Sequence, residues 1–523
     1  MFQLDRSTAK AIDQLREGPL SSELVAWSIQ QNAARAATMA TNLAYYQNRA
    51  GISVPGTGVQ GEALRARGTA GAQEAGLPAR IRGGEGHSRK EIVLENDIAW
   101  RVEAGVDLLF GNAIRIESLA EDVGRARQIE QVLVGLFDAS GGSSFLQRLA
   151  LAGGIFGSAD VLLRRRAADR RAEGAGGASG GTASVDRAVS AARGLLLDLV
   201  YQPWAVPVFH PDRQDELLAY VQHAQTQAGP PAPRTNAAST GEPRGLERLW
   251  RSCRAGDGSQ ALFELITPRS HIRLSNGRLS VGRVGLGRIP LVHIQHLPSP
   301  YGWDGVSEVL ALRPLQDELN TRLCDRAHRI TMTSFRMFLG KRIPDFIARK
   351  IGPGQMWSTD DEKASIEVFG GDSDCPSERE HIDQLREAMD KASGINPLAA
   401  GVVRDKLGNL TSGVALRVTL LGAISRTLRK RITYGRGIEQ LAELALEALH
   451  AAGIFPTRPA ERLTRVRWPA ILPDDLEREL AAARTRIELG VPREQVLADL
   501  GHASSPAHID NDAPPPRRPL PPA

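Results

Sequence analysis

Few residues in this 523-residue chain stand at spacings that could do chemistry. His293 and His296 form HIQH inside a strand-like run, and paired imidazoles are a common start of a metal site. In a strand, positions i and i+3 point to opposite faces, so these two do not converge on one ion and read as ordinary strand histidines. GGDSDC (370–375) has half the acidic spacing of a calcium loop, but lacks the later glycine and the terminal glutamate. It reads as a turn leading into a helix. GRVGLGR (282–288) is Gly-rich without GxGxxG order, and reads as a turn between strands. GxxxxGK[ST], GxSxG and HExxH are absent, which removes the positive case for a P-loop ATPase, a serine hydrolase or a zinc protease. Cys253, Cys324 and Cys375 lie far apart without a CxxC pair, against both a thiolate zinc site and a disulfide framework. No metal and no cofactor is expected.

Charge is the remaining candidate. The chain holds 57 Arg and 8 Lys against 60 acidic residues, a net +5 that is too mild over this length to imply nucleic-acid binding without a local cluster. Aromatic residues are 5%, which argues against a stacking platform for single strands. Two clusters stand out. Arg164-Arg165-Arg166 and Arg170-Arg171 border a Gly-rich segment and read as a solvated turn. Residues 401–436 carry Arg404, Lys406, Arg417, Arg426, Arg429, Lys430, Arg431 and Arg436 against Asp405 alone, a net +7, whereas 377–393 is net −2. Such segregation fits acidic faces meeting basic ones, either between subunits or against DNA.

The elements that must position these groups form an α+β, helix-rich chain of more than one domain. A composition of 42% hydrophobic and 24% charged residues is core-forming and soluble. No run of about 18 uncharged apolar residues exists to cross a membrane, and the N-terminus has no signal-like apolar segment. Residues 1–50 read as helix, as does 91–116 with Ile98, Val102, Val106 and Leu109 on one face. Val132, Leu133, Leu136 and Phe137 mark a further helix, and 145–163 a third apolar segment. The Gly-rich segments 51–90, 164–184 and 223–245 are expected to be flexible. Strand-like runs lie at 204–209, 261–266, 271–275 and 289–297.

From Leu312 through Leu315, Leu319, Leu323, Ala327 and Ile330, apolar residues recur every three or four positions, the stripe of a long helix starting near Arg313 with Pro314 tolerated in its first turn. A β-rich stretch follows (334–342 and 351–371), then a helix at 377–393 with Ile382, Leu385 and Met389 on one face. That order predicts two helices running out and back with a β module at the far end. Residues 394–411 break the helix with Gly394, Pro397, Gly401 and Gly408. A long helix starts near Thr411, separate helices follow at 438–453, 474–489 and 491–501, and the tail 502–523 reads as disordered.

YGWDGVSEVLALRPLQDELNTRLCDRAHRITMTSFRMFLGKR (301–342) resembles the tailed-bacteriophage portal, or head-to-tail connector, family, in its siphovirus-like branch. The resemblance rests on the turn Gly305-Val306-Ser307-Glu308, the helix through Leu315-Gln316-Asp317-Glu318-Leu319-Asn320 and the strand after it. In the same order come Gly352-Pro353-Gly354, Ser393-Gly394-Ile395-Asn396-Pro397 and Thr411-Ser412-Gly413-Val414-Ala415-Leu416, and 201–221 is similar to the region preceding the stem. It covers roughly 200 to 440.

The resemblance implies a non-enzymatic ring, typically of twelve subunits, at one capsid vertex of a virion, assembled in the host cytoplasm. Its channel would pass double-stranded DNA without sequence specificity. It would dock a terminase, a head-completion adaptor and the major capsid or scaffold protein, and no membrane. On this reading 1–300 is the N-terminal region and wing, 301–334 the first stem helix, 335–376 the clip and 377–393 the second stem helix. Residues 394–411 become the tunnel loop, 412–436 a long wing or channel helix and 437–501 the crown. Arg404, Lys406 and Asn409 would meet DNA. Lys341, Arg342, Asp360, Asp361 and Glu362 would face the terminase or adaptor, and Leu315, Leu319, Leu323, Ile382, Leu385 and Met389 would pack between subunits. The alternative is a metal-dependent nucleic-acid-processing enzyme using the +7 segment with Asp360-Asp361 and Asp372-Ser373-Asp374.

Overall fold

The computed structural model describes residues 4–48, 71–83, 90–165, 181–213, 215–224, 262–275, 278–334, 337–343, 362–369, 375–400, 413–471, 483–493 and 496. Residues Met1–Trp468 form one unit and Pro469–Ala523 another. In the second unit 483–488 is helical; 474–482 and the tail from 497 lie outside the described residues.

The N-terminal fifty residues are three helices: α1 (Arg6–Leu15), α2 (Ser22–Gln31) and α3 (Ala33–Gln47). Arg16 and Gly18 take positive φ between the first two, and the Ser21 hydroxyl accepts from Leu24 N to start the second. Ala72–Gly76 and Ala79–Arg82 are helical turns, and Leu77 and Ile81 are buried with Cys324, so this part of 51–90 is packed chain. Asn96 caps α4 (Asp97–Phe110), shorter than 91–116, and β1 (Arg115–Ser118) follows. Asp122 caps α5 (Val123–Ser140).

The apolar segment 145–163 divides at Gly157 (φ +92°) into α6 (Gly142–Phe156) and β2 (Ser158–Arg165). Then come α7 (Gly181–Arg193), β3 (Leu195–Leu199), β4 (Ala205–Phe209), β5 (Leu217–Ala224), β6 (Leu262–Ile266), β7 (Ser270–Ser275), β8 (Arg278–Arg283) and β9 (Leu291–Gln295). The segments 164–184 and 223–245 are thus ordered at their ends: Arg164 and Arg165 close β2, residues 181–184 open α7, and His223 and Ala224 close β5. β4 to β8 form a five-stranded antiparallel meander, covered by α1 and α2 through Ile12, Val25 and Ile29. β3, β2 and β9 form a second antiparallel sheet.

Next are α8 (Arg313–Ser334), the antiparallel pair β10 (Met337–Lys341) and β11 (Ser365–Phe369), and α9 (Pro376–Ser393), ended by Gly394 at φ +69°. The return is antiparallel. Arg329 in the last turns of α8 pairs with Glu378 in the first turn of α9, while Gln316 and Asp390, at the other ends, both reach α4. α10 (Gly413–Ala451) is a single helix of 39 residues, roughly 58 Å at ~1.5 Å per residue, where two were expected. Gly437 does not break it: a Cβ there would stand 2.3 Å from Ile294 Cδ1, so glycine lets the helix seat on β9. β12 (Thr464–Arg467) pairs with β1. The main core gathers α3 to α6, β2, β9, α8, α9 and α10. Among the described residues no helix is long and apolar enough to cross a membrane.

Candidate functional site

The turn Gly305–Glu308 sits where α6, β9 and α10 meet. Gly305 packs so closely that a Cβ would lie 2.5 Å from Leu297 O and 2.6 Å from Gly157 O. His296 N donates to Gly157 O and Glu308 N to Gly154 O, both at 2.9 Å. The Ser307 hydroxyl donates to Ile155 O (2.7 Å) and accepts from Val309 N (3.1 Å), so it holds the turn and opens the chain toward α8. Val306 N donates to Leu297 O at 2.9 Å, and with these ties the Glu308 side chain is driven inward.

There its carboxylate meets α10. Glu308 Oε1 lies 2.6 Å from Lys430 Nζ, 3.3 Å from Arg426 Nε and 3.4 Å from His296 Nε2. The side chains of Lys430, Glu308 and His296 are 2%, 4% and 3% exposed. Burial would raise the Glu308 carboxyl, but Lys430 foremost, then His296 and Arg426, outweigh it and hold it well below the usual range. Burial, helped by Lys430, pushes the His296 imidazole down, so it is neutral and accepts the Tyr434 hydroxyl at Nδ1 (2.8 Å). Gly153 leaves the space for that hydroxyl, because a Cβ there would meet Tyr434 Oη at 1.9 Å. The carboxylate is enclosed by the residues that pair with it. What it does is fix the rotation of α10 about its own axis.

Two further polar knots hold the frame. Arg101 of α4 donates to Asp390 (2.6 Å), Ile395 O (2.5 Å) and Asp97 (3.3 Å), which pins the end of α9 and the chain leaving it. Arg164 of β2 bridges the two sheets, reaching Asp198 at 2.6 Å and Glu264 at 2.6 and 2.8 Å. Burial would raise Glu264, yet hydrogen bonds from His271 and Arg164 bring it down to about 2. Arg164 is therefore a half-buried tie between the sheets and not part of a solvated turn. The HIQH histidines do point to different partners, His293 to Asp160 (2.5 Å) and the Trp303 carbonyl, His296 to the Glu308 group. Among the described residues no group of three or more His, Cys, Asp or Glu is placed to hold a metal.

The residues singled out from sequence fall into three sets. Arg404, Lys406, Asn409, Asp360, Asp361, Asp372 and Asp374 lie outside the described residues. Lys341 pairs with Glu367 across β10 and β11, Arg342 takes φ +58° beyond the strand, and Glu362 is exposed, so these three remain surface groups. The set expected between subunits also packs within one chain. Leu319, Ile382, Leu385 and Met389 are buried within one chain, and Leu315 and Leu323 pack half-buried on the same core, because α8 and α9 face each other and α4.

The +7 segment is also less basic outwardly than its count, since Arg426 and Lys430 spend their charge on Glu308. Outward it shows something else. Val418, Leu421, Leu428 and Ile432 are 67%, 62%, 50% and 73% exposed, and with Ser425 they form one row along α10. Sequence reading counted the charges here but missed this row. The signal was present as spacings of three and four, hidden because Leu420 and Ala423, which point the other way, are equally apolar.

No protein-family model matches the sequence, and no curated protein matches it. Among solved structures, the chain is similar to one in the neck of an empty gene transfer agent (GTA) particle computed with C6 symmetry, at 11% identity and TM-score 0.43, covering 77% of this chain and 90% of that one. It is similar at 10% identity and TM-score 0.40, covering 77% of this chain and 89% of the other, to chains in the virion of a native GTA particle and in the neck of a native GTA particle computed with C12 symmetry.

Proposed function

We propose that this chain is a head-to-tail connector subunit of the portal type, siphovirus-like, with no enzymatic activity. Copies would form a ring, typically of twelve, at one capsid vertex of a virion and pass double-stranded DNA during packaging and ejection. The observation that carries the reading is the order of parts from 301 to 436. A turn of the form G-V-S-E leads into α8, a β pair follows, α9 returns antiparallel, and a Gly-Pro-broken segment opens the long α10. The family's motifs come in this order, and the Ser393-Gly394 motif coincides with the end of α9.

On this reading α8 and α9 are stem, β10 and β11 belong to the clip that docks a terminase and later an adaptor, and the segment after Gly394 lines the channel with Arg404, Lys406 and Asn409. The major capsid or scaffold protein would surround the ring, assembled in the host cytoplasm. The internal burial of α8 against α9 makes each stem a rigid unit, so subunits would pack as preformed hairpins. The test is negative-stain electron microscopy with mass photometry of the purified chain. Rings with a central hole and masses at a high multiple of 56.5 kDa are expected. A protein that stays monomeric across assembly conditions would end the proposal.

A further inference from the structure

We infer that the outward row Val418–Leu421–Ser425–Leu428–Ile432 of α10 is a contact surface for a second copy of this chain, and that it lies against the acidic face of that copy's α9. The inference takes its stoichiometry, a closed ring, from the connector reading, but the contact itself is argued from this chain's surface.

The steps of three and four between these five positions put them in one stripe about 21 Å long on an α-helix. An exposed helix face is ordinarily polar, and a contiguous apolar row on one marks a partner, most simply another helix. The row cannot turn inward by rotating α10. Lys430 and Arg426 on Glu308, and Tyr434 on His296, hold the opposite face. Its exposure is therefore fixed by the buried ionic group.

Charge names the occupant. Arg429 stands beside Leu428 and Ile432, is exposed, and has no ion-pair partner among the described residues; Arg436 follows two turns on, also exposed. On α9, Asp390 and Glu378 are engaged with Arg101 and Arg329, but Glu380, Asp383 and Glu387 form an exposed row at i, i+3 and i+7 with no ion-pair partner among the described residues. One chain thus carries an apolar-basic helix face and an acidic helix face on different elements. Two such faces on one molecule make a heterologous, head-to-tail contact, the kind that closes a ring.

The test compares the wild-type chain with Leu421→Glu/Ile432→Glu, with Arg429→Glu, and with Arg429→Glu combined with Asp383→Arg, by mass photometry over a concentration series and by thermal melting. The first variant should lower the assembled fraction by more than about tenfold while the melting profile of the monomer is unchanged. Arg429→Glu should weaken assembly, and adding Asp383→Arg should restore part of it. Should the doubly charged variant fail to fold, Leu421→Ser/Ile432→Ser carries the same test. Wild-type rings matched by equal variant rings would overturn the contact and leave the connector reading standing. Equal rings with a lowered melting temperature would overturn it too, by showing that the same chain covers the row. Loss of assembly in the apolar variant with no rescue by the charge swap would overturn the α9 half of the pairing. A wild-type dimer that the variant dissociates would keep the contact and end the ring, and a wild-type chain monomeric at every concentration would end both.

Discussion

The two halves of α10 are built the opposite way round. From Ile438 to Leu449 the helix is ordinary: Ile438, Leu441, Ala442, Leu444, Ala445, Leu446 and Leu449 are buried, and Glu439, Glu443 and Glu447 are half-buried at its edges. From Val418 to Tyr434 the inward face carries Thr427, Lys430 and the Tyr434 hydroxyl beside Leu420 and Ala423, and the outward face carries Val418, Leu421, Leu428 and Ile432. Burial of apolar surface seats the second half at about 25 cal/mol per Å². The first half is seated by a charge group with a large desolvation cost, which makes it selective for one rotation and weak as a source of net stability. A helix segment with ions buried on one face and an apolar row exposed on the other is oriented for a neighbour. That is why the buried ions and the exposed leucines belong to one device.

Removing Lys430 separates the halves most sharply. Lys430→Met leaves Glu308 buried without its nearest cation, and unfolding free energy should fall by about 3–5 kcal/mol in urea titrations below the assembly concentration. The double variant Glu308→Gln/Lys430→Met should recover part of that, because the buried carboxylate is gone and only Arg426, itself 16% exposed, loses its partner. A double variant as unstable as the single one would mean that packing, not charge, seats this half. In the second half, Leu446→Ala removes a fully buried side chain and should cost about 2–5 kcal/mol by the same measurement, with no partner substitution able to restore it.

Acid distinguishes charge-held from apolar-held regions without mutation. Glu264 titrates at about 2 when folded against an ordinary 4.5. A lowered carboxylate gives stability that is fully present above pH 4.5 and lost as pH falls through about 2. The size of that loss is roughly 3 kcal/mol, and it should be missing from Glu264→Gln in acid unfolding curves. Glu308 contributes with the same sign in the same direction of pH. Its share should shrink in Lys430→Met, since Lys430 is the largest cause of its lowering.

Much of the frame was readable because it is local. The stripe from Leu312 to Ile330 and the face Ile382–Met389 are i, i+3, i+4 patterns, and both helices stand within a residue or two of their expected ends. Residues 145–163 were ambiguous because an apolar run reads alike as buried helix and buried strand, and only the positive φ of Gly157 divides it. β1 and β12 were missed for another reason. Each is four residues long, and their pairing joins Arg115 to Arg467 across 352 positions. The Glu308 site was half legible. The turn was noticed, but Lys430 lies 122 residues on, and in a list of basic residues it looked like surface charge. Charge counts along a sequence cannot tell a solvated arginine from a half-buried tie, as Arg164 also shows.

The smallest expected effect tests the outward row by its silence. Ile432 is the most exposed of the four apolar residues, so the folded monomer gains little from it. Ile432→Ser, measured by urea unfolding below the assembly concentration, should change stability by no more than about 0.5 kcal/mol, the range of ordinary surface substitutions. Tyr434, two positions further on, is fully buried and holds His296. Tyr434→Phe keeps the ring but leaves His296 Nδ1 without its donor, which should cost about 1–3 kcal/mol. If Ile432→Ser destabilised the monomer as much as Tyr434→Phe, the two faces of this half would be equally packed within one chain. The exposed apolar row that sets it apart from the second half would then not exist.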